Sequence, residues 1–134
     1  TSMSSTELQT FRGIKAYTEN NFETVIQIFS DIPKYQMYNM GIGLLFSESY
    51  AQKGDLGSSL KIANELLSTQ NIDPLEVHLH LAHLLEMYKN SAPEALESYQ
   101  KALKVVKDAD EKVWIEKKIE YLKNLNKKVG ANNL

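Results

Sequence analysis

The chain has 134 residues, 43% of them apolar and 24% charged, with a formal net charge of −2. That is the size and composition of one ordinary soluble globular domain, and the acidic balance argues against a general nucleic-acid binder. There is no cysteine, which excludes disulfides, thiolate zinc sites and cysteine nucleophiles.

Residues 1–6 read as a disordered N-terminus, with Thr1-Ser2 ahead of Met3 as an appended remnant. No signal-peptide pattern opens the chain, and no apolar run approaches the roughly 20 residues of a membrane helix. The expected location is therefore intracellular and cytoplasmic. Leu8, Phe11 and Ile14 then mark a first helical stripe. A turn is expected at Asn20-Asn21, followed by a second stripe through Phe22, Val25, Ile26, Phe29 and Ile32 that Pro33 stops.

The pattern repeats. Met40, Leu44, Leu45, Phe46 and Tyr50 precede a turn at Gly54-Asp55, and Leu56, Leu60, Ile62, Ala63, Leu66 and Leu67 follow it. Gly41-Ile42-Gly43 is no phosphate loop, because it lacks a preceding strand and a following Lys-Ser/Thr. Its glycines either permit close helix contact or weaken the helix start by about 1 kcal/mol each.

A third pair is expected at residues 74–89 and 92–107. Asp73 caps the first helix, Pro74 suits its opening position, and Val77, Leu81, Leu84, Leu85 and Tyr88 form its stripe. Ser91 and Glu94 form a capping box ahead of Ala95, Leu96, Tyr99, Ala102, Leu103 and Val106. The last helix, about 110–129, opens on a capping-box variant of Asp108 and Glu111. Ile115, Ile119, Leu122 and Val129 make one stripe, and Trp114, Tyr121 and Leu125 its neighbour, with Trp114 and Tyr121 expected to be core. Residues 130–134 read as a frayed end with Gly130 as C-cap.

The period is regular. Asn21-Phe22 and Asp55-Leu56 are 34 residues apart, as are Val25-Ile26 and Ser59-Leu60. Ser59 to Ala95 is 36, with one extra residue between units and one in the 89–92 loop. A helix-turn-helix unit near 34 residues is the tetratricopeptide (TPR) period. The third unit resembles that family through Leu81-Ala82, Leu85, Ala95, Tyr99 and Ala102. The second resembles it through Phe46-Ser47, Tyr50, Gly54-Asp55 and Ser59, with Ala63 in the aromatic place and Leu66 in the last small one. The first does so through Gly13, Phe22, Val25 and Phe29, with Arg12 in the large apolar place.

The resemblance implies an all-α, right-handed α-solenoid of about seven helices. Its single domain would span 7–129, with repeats at 7–35, 38–70 and 74–107 and a capping helix at 110–129 with a polar outer face.

Little here suggests catalysis. On a helix His78 and His80 point about 200° apart, and only His80 and His83 share a face, so the histidines read as repeat-helix residues and not as a metal site. No nucleophile motif stands out. No enzyme activity, metal or cofactor is expected. Lys112, Lys117, Lys118, Lys123, Lys127 and Lys128 make the last element basic, but with Trp114 and Tyr121 in the core no nucleic-acid surface is expected.

The family resemblance instead implies a concave groove for a partner peptide or helix. Its places are Ile14, Tyr17 and Thr18 in the first unit, Leu44, Glu48 and Gln52 in the second, and Leu79, His83, Glu86 and Met87 in the third. The cationic clamp by which some TPR domains hold Hsp70 or Hsp90 tails is missing, since Thr10, Ile14, Leu45, Glu76 and Leu81 stand in its places. The leading expectation is a non-enzymatic interaction module or adaptor. The alternative is a structural subunit, or a fragment of a larger TPR protein, that self-associates or stacks within a complex.

Overall fold

The structure is a computed structural model that describes residues 4–69 and 71–132, with side chains described as far as 128. Among these residues there are eight helices and no strand. They are α1 (Ser5–Thr18), α2 (Phe22–Ser30), α3 (Lys34–Asn39), α4 (Gly43–Gln52), α5 (Leu56–Leu66), α6 (Pro74–Met87), α7 (Ala92–Val105) and α8 (Ala109–Asn132). Packing groups them into two compact units, Thr1–Ile72 and Asp73–Leu134.

In the first unit, α1 packs on α2 and α4 on α5, and α2 bridges the pairs by packing on α4. Each pair turns through one left-handed residue, Asn20 at φ 59° and Gly54 at φ 85°. Around Asn20 the amides of Asn20 and Asn21 donate to the carbonyls of Tyr17 and Ala16 at 3.0 and 2.9 Å. Around Gly54 those of Gly54 and Asp55 donate to Ala51 and Tyr50 at 3.0 and 2.9 Å. This pairing satisfies the last carbonyls of a helix and reverses the chain at once. The next residue caps the following helix: Asn21 accepts from the Thr24 amide, and Asp55 from the Ser58 amide at 3.1 Å. The Ser58 hydroxyl and amide hold the Asp55 carboxyl below its ordinary range.

The sequence pattern suggested one helix leading into Tyr50, and about seven helices in all. The eighth arises because Pro33 starts a short helix, α3, which Gly41 ends in a left-handed turn at φ 75°. Gly41 and Gly43 do different work. No atom lies within 4 Å of a Cβ placed on Gly41, so only its φ requires glycine. A Cβ on Gly43 would sit 2.5 Å from Leu66 Cδ2, so there glycine admits a close helix contact. The Tyr38 hydroxyl ties α3 to α5 by donating to Glu65 at 2.6 Å.

α1 departs from its predicted register. Its buried residues are Thr10, Gly13 and Ala16, while Leu8, Phe11 and Ile14 are exposed. The reason is steric: a Cβ on Gly13 would lie 2.0 Å from the fully buried Phe29 ring. The small-residue face lets α1 close on that ring, which turns the large side chains outward. α1 also starts at Ser5, capped by the Ser4 hydroxyl, inside the span expected to be disordered. Residues 1–3 of that span lie outside the described residues.

In the second unit α6 packs on α7, and α7 on α8. Asp73 caps α6 through the Leu75 amide at 3.0 Å, with Pro74 in the first turn. The α6–α7 turn again uses a left-handed asparagine, Asn90 at φ 56°, but it is one residue longer, as the repeat spacing required. The expected capping box is rearranged: the Ser91 hydroxyl donates to the Glu94 carboxylate at 3.2 Å, and Lys89 pairs with that carboxylate at 2.7 Å. Asp108 caps α8 through the Glu111 amide at 2.9 Å. α8 then passes through Gly130 to Asn132, so Gly130 is helical and not a cap.

Burial follows the spacing read from the sequence. Gly13, Ser47 and Ala82 occupy one place in the first helices, and Val25, Ser59 and Ala95 one place in the second; all six are buried. Small residues stand at both places in α4–α5 and α6–α7 and let those helices approach closely, whereas in α1–α2 Gly13 is set against a larger residue, Val25, at the second place. Phe29 and Tyr99 fill the aromatic place, and Ala63 stands there in the second pair.

Candidate functional site

The groove positions fall in two units, each with its own surroundings. In the first unit, Ile14 is 39% exposed on α1, and Phe11, one turn earlier, is 61% exposed. Tyr17 is half-buried, its ring set edge-on to Phe22 at 5.7 Å. Burial raises its hydroxyl pKa, and the neighbouring Glu48 charge raises it further, so α1 and α4 present these two residues to one region. Leu44 is half-buried. Gln52 donates to Glu48 at 3.2 Å across one turn of α4. Thr18 is exposed, and its hydroxyl is used locally, donating to the Lys15 carbonyl at 2.8 Å.

In the second unit, Leu79 is half-buried and His83 exposed, the His83 ring lying edge-on to Tyr88 at 5.9 Å. Met87 is 63% exposed. Glu86 is committed inward. It accepts the Tyr99 hydroxyl at 3.0 Å and pairs with the Lys118 ammonium at 2.7 Å, which ties α6, α7 and α8 together. Burial, then the Glu86 charge and hydrogen bond, push the Tyr99 hydroxyl pKa well up.

Of the positions equivalent to a carboxylate clamp, Thr10 and Leu81 are buried, and the Thr10 hydroxyl donates to the Thr6 carbonyl at 2.9 Å. His78 is half-buried, and burial, then the Lys101 charge, lower its pKa. Among the described residues, no group of three or more His, Cys, Asp or Glu side chains converges as metal ligands would, and no helix is long and apolar enough to cross a membrane.

Phe11 belongs to the apolar stripe of the first helix but is exposed, because Thr10, Gly13 and Ala16 form a competing small-residue face at steps of three that is buried instead. Trp114 and Tyr121 were expected in the core but are 50% and 56% exposed. α7 covers only one stripe of α8, namely Ile115, Ile119 and Leu122. The Lys/Glu alternation along α8 was legible but did not reveal which stripe would stay outside. No family model, curated protein or solved structure matches the chain.

Proposed function

We propose that the chain is a TPR-like α-solenoid acting as a non-enzymatic interaction module, and that its first-helix faces receive a partner peptide or helix. The observation that carries this reading is the exposed apolar surface at the implied groove places. Ile14 continues into Phe11 on α1, beside Tyr17 and Glu48, and Met87 projects from α6. Phe11 and Ile14, exposed one turn apart on one helix, are what a docking face requires and a solvated face does not. The recurrence of the left-handed turn residue in all three hairpins, and of a small buried pair in α4–α5 and α6–α7, supports the repeat reading.

The test is affinity capture with wild type beside Phe11→Glu/Ile14→Glu and Met87→Glu, each first shown to be helical by circular dichroism. The captured protein is then purified and titrated against all three. Binding at least ten-fold weaker in the variants is expected. Equal affinity for wild type and both variants would sink the groove reading.

A further inference from the structure

α3 is attached to its unit differently from its neighbours. Helix-on-helix packing joins α1, α2, α4 and α5, and α3 takes no comparable part in it. Its buried side chains are Met37 and Tyr38, while Lys34, Tyr35 and Asn39 are exposed. Around that small inner face the attachment is made by side-chain tips. The Tyr38 hydroxyl donates to Glu65 Oε2 at 2.6 Å, Lys34 meets the same oxygen at 3.5 Å, and Asn39 accepts from Asn71 at 2.8 Å. The Thr6 hydroxyl reaches Gln36 Oε1 at 3.4 Å.

The backbone bonds of α3 close on themselves. The Gln36 and Met37 amides donate to the Pro33 carbonyl, and the Gly41 and Ile42 amides to the carbonyls of Tyr38 and Met37. α3 therefore keeps these bonds whether or not it rests on the unit. Its ends suit a hinge: Pro33 has no N–H with which to bond back to α2, and Gly41 holds φ 75° in open space. Beneath it lies a cavity of about 300 Å³. Lys34 and Met37 wall it on the α3 side, and Phe29, Phe46, Tyr50 and Ile62 wall it from α2, α4 and α5.

An element held by two buried side chains gives up little of its unit's packing when it lifts, so it opens before the rest. We infer that α3 is a hinged lid, latched by Tyr38 on Glu65, whose opening bares the cavity while α2, α4 and α5 stay folded. Opening separates Met37 and Tyr38 from the unit and leaves intact the buried contact between Ser47 of α4 and Ser59 of α5. The lid does not depend on the groove reading.

The test is native-state hydrogen exchange of the full chain, comparing the Met37, Met40 and Ile42 amides with those of α4 and α5. The α3 amides should exchange at least ten-fold faster and with a weaker urea dependence. Two variants separate lid opening from unfolding of the unit. Ser47→Ala removes a contact that the open lid retains, so it should speed the α4 and α5 amides about five-fold and leave those of α3 unchanged. Tyr38→Phe keeps the ring and loses the latch, and should speed the α3 amides at least three-fold. The chain has no cysteine, so Ile62→Cys puts a single thiol on the cavity wall. Its reaction with a thiol reagent should quicken at least three-fold on adding Tyr38→Phe and stay unchanged on adding Ser47→Ala. A urea dependence shared by α3 and α5, equal acceleration of both by Ser47→Ala, or α3 rates unmoved by Tyr38→Phe would each overturn the lid. A thiol that follows Ser47→Ala, or ignores Tyr38→Phe, would overturn its control of the cavity.

Discussion

The Ser47 hydroxyl donates to the Ser59 carbonyl at 2.8 Å and lies 3.0 Å from the Ser59 hydroxyl, and both residues are fully buried where α4 crosses α5. The equivalent pair in α6–α7 is Ala82 and Ala95, also fully buried. One crossing is thus closed by a polar contact and the other by methyl groups. Ser47→Ala should cost about 1 kcal/mol, the net worth of a buried hydrogen bond. Ser47→Ala/Ser59→Ala reproduces the alanine pair and should recover most of that loss. Ser47→Leu overpacks the crossing and should cost about 1–3 kcal/mol. Urea denaturation of the three variants checks the order.

Gly13→Ala places a methyl group against the Phe29 ring, 2.0 Å from Cε1. Alanine favours the helix by about 1 kcal/mol, but overpacking against the ring costs about 1–3 kcal/mol, so a net loss is expected. Phe29→Leu should cost less in the Gly13→Ala background than in wild type. A double-mutant cycle by thermal denaturation tests the coupling, and simple additivity would show that α1 relaxes away from the ring.

Lys118 is 29% exposed and Glu86 15% exposed at the side chain, so their bridge is partly desolvated. Lys118→Ala leaves Glu86 with the Tyr99 hydroxyl but without its cation, and should cost about 1–3 kcal/mol. Adding Glu86→Gln should restore part of the loss, because a neutral amide still accepts from Tyr99. Urea denaturation at low and high salt separates this bridge from an exposed pair, which salt would weaken.

Tyr38 and Tyr99 make stability fall at high pH. Burial leads in raising both hydroxyl pKa values above 10.0, followed at Tyr38 by its hydrogen bond to Glu65 and at Tyr99 by the charge of Glu86. A raised folded-state pKa means that the unfolded chain releases its proton first. The stabilisation is complete below pH 10 and is lost above it, by at most about 1.4 kcal/mol per pH unit for each tyrosine. The Tyr38 bond has the opposite sign at its other end, where it leads in lowering the Glu65 carboxyl below 4.5. That contribution is present above pH 4.5 and lost as pH falls through the depressed value. Tyr38→Phe should flatten both limbs of a stability profile from pH 3 to 11.5, and an unchanged profile would show that the bond is not made in solution.

Helix positions were legible because their signals are local. Pro74 after Asp73 and the Gly54-Asp55 turn each act within a few residues, and the backbone follows them. The longer α6–α7 turn was legible for the same reason, as one residue in excess of the period. The separation of α3 was not, because Pro33 and Gly41 are each compatible with a helix end or an inter-repeat turn, and neither says that a separate turn of helix fits between them. The candidate groove was read in outline only. Ile14 and Met87 stand exposed, whereas Glu86 is drawn into the packing of α7 and α8.

By itself, then, the sequence determined an all-helical chain of paired segments with a capped last helix, because periodicity, caps and left-handed turn residues are properties of neighbours along the backbone. Which apolar stripe each helix buries was decided only by tertiary packing. α1 offered Leu8, Phe11 and Ile14 or Thr10, Gly13 and Ala16, and α8 offered the stripe of Ile115 or that of Trp114. The Phe29 ring accepts only a helix face without a Cβ at position 13, and α7 covers only the Ile115 stripe of α8. Burial is settled by the shape of the opposing surface.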